Sequence, residues 1–399
     1  MFTELLFSLI LGIMFGIFTG LIPGIHVNLV AALLLALSSF LLKMFTPLDL
    51  AVFIISLSVT HSFLDTIPSI YLGAPENENA LSILPGQKML LAGYGHMAVK
   101  ITILGTYVGM ITAILLVPLF IFSAEKIFTV LRPYLGYLLF IIMFYLIVKD
   151  SMRLWNLFLF LLAGTLGVLV FSVPNLNEPL FPMLSGLFGV SGLMVGIFDN
   201  TKIPKQNITS KINLKLSELV KAVFASSVGV FFIQFFPGLG PAQGAVLSNV
   251  FIRDIKDKGY LALVGAMGTM SVVFSLVTFY TLGKAKDGSI VVVSKLLEID
   301  KSGFILLLSS FLIAGSISVF LTLYFSKMFS KLIVRVNYQI LVITIIVFIF
   351  LMSFFLNGPL GIVVLITATA IGLIAPLKGI GRNHLMGCLI LPVMLYYVL

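Results

Sequence analysis

The residues of this chain that could do chemistry are few, and most sit at two breaks in otherwise apolar sequence. Phe18-Thr19-Gly20-Leu21-Ile22-Pro23-Gly24-Ile25 is echoed by Ile233-Gln234-Phe235-Phe236-Pro237-Gly238-Leu239-Gly240. A proline ends the helix before it, and the helix that restarts presents backbone N–H groups with no intrahelical partner. Those groups, with the helix dipole, form an anion site that needs no positive side chain. Gly24, His26 and Asn28 in the first copy, and Gly238, Gly240 and Gln243 in the second, are therefore candidate substrate contacts. The alternative is that each break is only a tight helical-hairpin turn.

His61 and Asp65 lie four residues apart, on one face at the end of an apolar run. Ionisable groups at membrane depth are costly and point to function. The pair reads as a proton relay or a cation site, or as an interfacial pair leaving the membrane. Glu76 and Glu78 offer hard oxygen ligands to a coupling cation, with Asn77 and Asn79 beside them for substrate, or the whole loop is solvated. Backbone carbonyls around Gly73 and Gly283 supply further ligands if the chain unwinds there, as in broken-helix transporters. Asp65, Glu76 and Glu78 are thus the coupling-ion candidates, for sodium or a proton. His26, His61, His96 and His384 with the lone Cys388 have no zinc-ligand spacing. No Gly-x-Ser-x-Gly or Walker sequence is present. No catalytic residues, metal site or cofactor are expected.

The elements that position these residues follow from composition. Hydrophobic residues make up 60% of the chain and charged residues 10%, and the mean hydropathy is +1.19. Soluble domains carry charge on roughly a quarter of their residues, so the expectation is an all-α polytopic membrane protein. Seven crossings per half are expected: 3–22, 27–43, 49–64, 97–121, 133–148, 154–172 and 180–198, then 217–236, 241–252, 260–282, 303–325, 338–356, 358–376 and 384–398. The stretch 241–252 is short for a full span of ~20 residues. Between the third and fourth crossings of each half, Asp65–Gly95 and Gly283–Gly303 read as re-entrant or irregular segments. Gly12, Gly16 and Gly20 recur every fourth residue, a helix-packing stripe. Trp155 with Arg153 reads as a membrane-interface anchor.

The two halves match in order. Tyr71-Leu72-Gly73 is answered by Thr281-Leu282-Gly283, and Leu166-Gly167-Val168 by Ile371-Gly372-Leu373, with offsets of 214, 210 and 205 from the first echo to the last. The expected organisation is a first transmembrane repeat at 1–200, a basic cytoplasmic linker at 201–215 and a second repeat at 216–399. An odd number of crossings per half inverts the second copy. Placing 203–221 in the cytoplasm also puts Lys88, Lys100, Lys149, Arg153, Lys258, Lys331, Lys378 and Arg382 inside. Most of the 24 basic residues then lie inside, as the positive-inside rule requires. That rule also accounts for the net charge of +9 without nucleic acid.

Gly16-x3-Gly20-Leu21-Ile22-Pro23-Gly24 is followed in order by Leu72-Gly73-Ala74-Pro75, Asn79-Ala80-Leu81 and Ala92-Gly93-Tyr94-Gly95-His96-Met97-Ala98. The ordered set resembles the large permease subunit of the tripartite tricarboxylate transporters, the TctA-like family, and Gly229–Gly244 resembles that family's second Pro-Gly motif. The resemblance implies sodium- or proton-coupled uptake of carboxylates through a multi-pass protein of the plasma membrane. It also implies a small membrane subunit and an extracytoplasmic binding protein as partners. Oligomeric state is left open, a homodimer included. The leading expectation is a secondary active transporter of a small di- or tricarboxylate-like anion, with alternating access between inverted repeats. The alternatives are a carrier of a lipid-linked phosphate and an intramembrane enzyme acting on lipid.

Overall fold

A computed structural model gives the structure of the chain. It describes all residues except 1, 23–26, 28–29, 31–33, 35–36, 74–82, 150–151, 175, 177, 199–202, 209–210, 236–239, 242–243, 246, 249–251, 253–254, 336–337 and 399. The described residues form helices and no β-strand. Eight helices among them are long and apolar enough to cross a membrane.

Two helices form the centre. α2 (Pro47–Leu64) continues, after a break at Asp65, into α3 (Thr66–Tyr71), and α11 spans Asp257–Leu282. The membrane-length window of each is completely buried inside the protein. A helix that is apolar all round is an interior helix, and both have apolar residues on every face. α2 starts where its sequence dictates. Pro47 occupies the first turn, and Thr46 and Asp49 exchange side-chain hydrogen bonds with each other's backbone N–H, a capping box. α11 stops at Gly283, whose φ of 64° only glycine adopts without strain.

Around this centre stand α1 (Phe2–Leu21), α5 (Gly95–Leu131), α10 (Leu216–Phe235) and α13 (Lys301–Leu332). Their contacts fix their directions. Gly12, Gly16 and Gly20 of α1 lie successively against Phe53/Ser56, Leu57/Thr60 and His61/Leu64 of α2, so the two helices run parallel. α13 follows them, with Ser318 Oγ donating to Thr60 Oγ1 at 3.0 Å and the Tyr71 hydroxyl reaching the Ser326 carbonyl at 3.2 Å. On the other side, Ser226 Oγ donates to the Leu263 carbonyl and Gln234 Nε2 to the Ser271 carbonyl, so α10 and α11 are parallel. α5 joins them in parallel, with Gly105 against Ala262 and Gly109 against Ala266, and Thr269 Oγ1 donates to the Thr106 carbonyl. The two sets oppose each other, because α5 meets α13 through His96 with Ser326 and Met110 with Gly315. Thus α1, α2–α3 and α13 run one way, and α5, α10 and α11 run the other.

An outer layer completes the bundle: α6 (Leu135–Lys149), α7 (Arg153–Ser172), the run α8 (Leu180–Leu184), a π-helical turn (Ser185–Val190) and α9 (Ser191–Phe198), then α14 (Tyr338–Lys378) and α15 (Gly387–Val398). α14 bends where Gly358 takes φ 63°, just before Pro359, which is a recognised cause of a kink. Gly167 of α7 lies on the backbone of Cys388, and Gly372 of α14 on that of Leu187. Large apolar side chains such as Leu154, Phe320, Phe355 and Leu377 point outwards. Buried polar residues such as Ser56, Thr60, Asp65, Thr269 and Ser275 point inwards. Apolar outside and polar inside is the arrangement a bilayer demands.

The expected crossings need adjusting at several places. The fourth runs from Gly95 to Leu131 as one helix through Pro118, because a proline inside a membrane helix is tolerated when neighbours satisfy the freed carbonyl. The twelfth and thirteenth are two helical stretches that meet at Gly358, whose φ of 63° and ψ of −156° are not helical. The seventh is interrupted by the π-helical turn. Both irregular segments contain a short helix, α4 (Ile83–Leu91) in the first and α12 (Gly288–Leu296) in the second. Most residues of the expected crossings at 27–43 and 241–252 lie outside the described set or form short pieces.

The ends of the bundle separate by chemistry. α11, at ~1.5 Å per residue, carries Asp257 and Leu282 to opposite ends. Lys88 meets Asp257 at 3.5 Å. Beside it, Gly93 accepts from Asn207 N–H and Gly95 N–H donates to Gln206. These residues are among or next to the basic segments expected to share the cytoplasm. The opposite end gathers Pro133, Gly283 to Lys286, and Tyr396 around one cavity.

Candidate functional site

That cavity has a volume of ≈ 1000 Å³ and lies where α10, α11, α12 and the end of α15 meet. Each polar contact is placed by a local rule. Gln234 is the next-to-last residue of α10, and its Nε2 donates to the Ser271 carbonyl at 2.7 Å. A carbonyl only accepts, so the amide orientation is fixed and Oε1 is left as a buried acceptor. No described residue donates to that oxygen. Thr278 lines the wall from the last turns of α11, with its hydroxyl turned back onto the Ser275 carbonyl.

Beyond Gly283 the chain doubles back, and Ser275 holds it. The Ser275 hydroxyl accepts the N–H groups of Lys286 and Asp287 at 3.0 and 2.8 Å. Asp287 then caps α12, accepting the Ser289 N–H at 2.9 Å. Lys286 is thereby fixed in the cavity wall with its acidic neighbour engaged elsewhere. Its Nζ is sequestered from solvent and has no hydrogen-bond partner among the described residues. An ammonium held away from water and from any carboxylate is destabilised. Burial pushes Lys286, in the segment between spans, down to about 7.

The residues expected from sequence divide sharply. Gly24, His26, Asn28, Glu76, Asn77, Glu78, Asn79, Gly238 and Gln243 lie outside the described residues. Gly283 is in the cavity. Gly240 is half-buried and accepts the Gly244 N–H at 3.1 Å. Gly73, with φ 64°, ends the first central unit as Gly283 ends the second, and it packs against Gln87 and Leu193. Asp65 is buried at the joint of α2 and α3, its N–H on the His61 carbonyl. His61 Nδ1 is 3.1 Å from Thr19 Oγ1, just before the first Pro-Gly break.

Sequence reasoning missed Lys286 and Gln234 as site residues. Nothing in the sequence sets Lys286 apart from the other basic residues between apolar runs, and Gln234 is only part of an echo. The available signal was a polar side chain in the last turn before each Pro-Gly pair, Thr19 in one copy and Gln234 in the other. Among the described residues, no group of three or more His, Cys, Asp or Glu is placed to hold a metal ion.

A polytopic helical membrane protein, with two fully buried helices at its centre, one jointed at Asp65 and the other ending at a cavity with polar groups in its wall, has an architecture that suits a membrane carrier. The comparison with known families agrees. The model of the tripartite tricarboxylate transporter TctA family matches residues 6–387, and the chain belongs to that family. It is also similar to the uncharacterized protein MJ1079 of Methanocaldococcus jannaschii, at 30% identity over 383 residues and 93% of each chain. No solved structure matches.

Proposed function

We propose that this protein is a secondary active transporter of a small organic anion of the di- or tricarboxylate type, driven by sodium or protons. The observation that carries the reading is the family match across residues 6–387. The mechanism is alternating access between two inverted repeats, residues 1–200 and 216–399. The pairing of directions supports this: α1 and α10, α2 and α11, and α5 and α13 are counterparts in sequence order, and each pair runs in opposite senses.

The outer layer adds independent support. A Cβ on Gly167 would strike the Cys388 backbone, and one on Gly372 the Leu187 backbone. Gly167 and Gly372 are matched in the sequence echo, and Leu187 and Cys388 each lie in the last helical run of their half. Each repeat therefore lays its last helix on the other repeat, the reciprocal exchange that a two-fold axis produces. Broken helices at matching positions of such repeats are where transporters bind substrate and ion.

The basic end is assigned to the cytoplasm and the cavity end to the outside of the plasma membrane. A binding protein would deliver substrate to the cavity end, and a small membrane subunit would complete the assembly. Asp65 is the coupling residue, as a buried acid at the break of a central helix.

The test is uptake into proteoliposomes. A panel of radiolabelled di- and tricarboxylates is offered with an imposed sodium or pH gradient, with and without an ionophore. Gradient-dependent accumulation that Asp65→Asn abolishes, in a protein that still purifies as a folded species, is the expected result. Absence of accumulation for every carboxylate under both gradients refutes the carrier assignment.

A further inference from the structure

We infer that the cavity at the end of α10 and α11 is an anion-binding vestibule in which Lys286 is the positive contact and Gln234 selects a ligand that also carries a hydrogen-bond donor. The inference rests on the organic-anion carrier reading and names the site where the anion is first held. Lys286 and Gln234 both line the cavity, each carries a buried polar atom with no partner among the described residues, and the two atoms ask for opposite things. Lys286 Nζ needs an anion, because a cation removed from water is stable only when paired. Gln234 Oε1 needs a donor, because the bond from Nε2 to the Ser271 carbonyl fixes the amide and leaves the oxygen a buried acceptor with no partner among the described residues.

A ligand meeting both demands has a carboxylate and, a few bonds away, a hydroxyl. Thr278 and Ser294 stand in the same wall. Their hydroxyl protons are directed to the carbonyls of Ser275 and Val291, so their oxygens are acceptors as well. An unsubstituted dicarboxylate would satisfy the lysine and leave the acceptors bare. A site built to bond a hydroxyl rejects the analogue lacking it, because its own groups are then left unpaired.

The lysine is also placed to move. Ser275 anchors its backbone through two N–H groups, while its Nζ is not tied to any described residue. Rotation about the terminal side-chain torsions brings the ammonium to an anion entering the vestibule, without disturbing the chain that carries it. Lys284 and Tyr396 at the rim add polar surface at the mouth.

The experiment uses purified full-length protein in detergent and in nanodiscs. Thermal stability and equilibrium binding are measured with malate, succinate, inorganic phosphate, and lipid bilayers with or without phosphatidic acid. Malate and succinate differ by one hydroxyl. The expected result is stabilisation by malate with an affinity at least about tenfold above succinate. Lys286→Met loses the response to both acids. Gln234→Met brings malate down to the succinate level and leaves succinate unchanged, a selectivity readout that a purely structural role would not produce.

Malate binding by Lys286→Met at wild-type affinity, equal binding of the two acids by the wild type, or no binding of either overturns the proposal. A response to phosphate or phosphatidic acid that exceeds malate also overturns it and reassigns the vestibule to a phosphate. Gradient-driven malate uptake that survives in Lys286→Met would sink the site while leaving the carrier assignment standing.

Discussion

Replacing Gly105 by alanine sets two opposing effects against each other, and the structure decides between them. In a helix interior, alanine is favoured over glycine by about 1 kcal/mol, so intrinsic propensity predicts stabilisation. The packing predicts the reverse. A Cβ at Gly105 would overlap the carbonyl and Cα of Ala262 on α11. The obstacle is backbone, which cannot rotate aside as a side-chain tip would, so α5 and α11 must separate. Overpacking of this kind costs about 1–3 kcal/mol. The separation also strains the hydrogen bond from Thr269 to the Thr106 carbonyl, and such interhelical bonds contribute about 0.6 kcal/mol in membranes. With the upper packing value, because the neighbour is main chain, the net is a destabilisation of roughly 2 kcal/mol. Gly381 is the control, since a Cβ there meets nothing within 4 Å. Unfolding by SDS titration in mixed micelles, followed by circular dichroism, gives both free energies. Gly381→Ala should be close to neutral. A stabilised Gly105→Ala would show that the two helices do not approach as closely as described, and would remove the basis for the central packing.

Single-cysteine labelling of sealed vesicles, in a background where the buried Cys388 is replaced by alanine, should separate the two ends. Cysteines at Lys88, Lys211 and Asp257 react from one side and those at Lys126 and Lys284 from the other. Labelling of Lys211 and Lys284 from the same side contradicts the helix directions. Gly283→Ala should cost about 1 kcal/mol from backbone strain alone, because φ is 64° and no atom lies within 4 Å of the added Cβ. Asparagine there should cost less, and an alanine variant that melts no lower than wild type would mean the chain reverses differently. Lys286→Met should melt above wild type at neutral pH. Because the folded protein holds this lysine near 7 and the unfolded chain near its ordinary value, the unfolded state binds the extra proton between those values. Wild-type stability therefore rises with pH across that window. The advantage of methionine, about 1–3 kcal/mol after discounting for the partly exposed stem, should be present at pH 7 and gone by about pH 10. An advantage that does not change with pH would mean packing, not charge burial, is responsible.

Much of the architecture could be read from the sequence because a membrane helix states itself locally. Every backbone group must be satisfied within the segment, so a run of apolar residues is already a helix of known length. The glycine stripe at 12, 16 and 20 named its own partner face, and α2 fills it. The matched glycines 73 and 283, and 167 and 372, sit in corresponding roles. Helix continuity was less legible. Pro118 does not break α5, whereas Gly358 with Pro359 does interrupt α14, because tertiary neighbours decide whether a freed carbonyl is tolerated. The site was the least legible part. A lysine counted for topology and a lysine in a cavity wall look alike in sequence. What separates them is Ser275, eleven residues earlier, folding the chain back. Similarly, the acceptor of Gln234 is exposed as unsatisfied only once Ser271 is seen to take its other end.

On the proposed duplication, the matched positions that differ are as informative as those that agree. Position 65 is an acid in the first copy and its counterpart, 275, is a serine in the second. Position 76 is an acid and its counterpart, 286, is a lysine. Glycines at helix contacts are restricted by the backbone opposite them, so both copies keep them. Loop charges have no such constraint and are free to specialise. If the repeats are inverted, the lysine faces one side of the membrane and the acids of the first loop the other. An anion then meets attraction at one mouth and repulsion at the other, which lowers its affinity on the acidic side and speeds release there. Such asymmetry cannot by itself move solute uphill, because the affinities of the two states are balanced by the equilibrium between them. Accumulation requires a second bound species whose gradient is dissipated. On the proposed mechanism, the charges at 76 and 286 would set where the anion is taken up and released, and a cation bound elsewhere would do the work; Asp65 is the proposed position for it, an acid where the echoed position 275 is a serine.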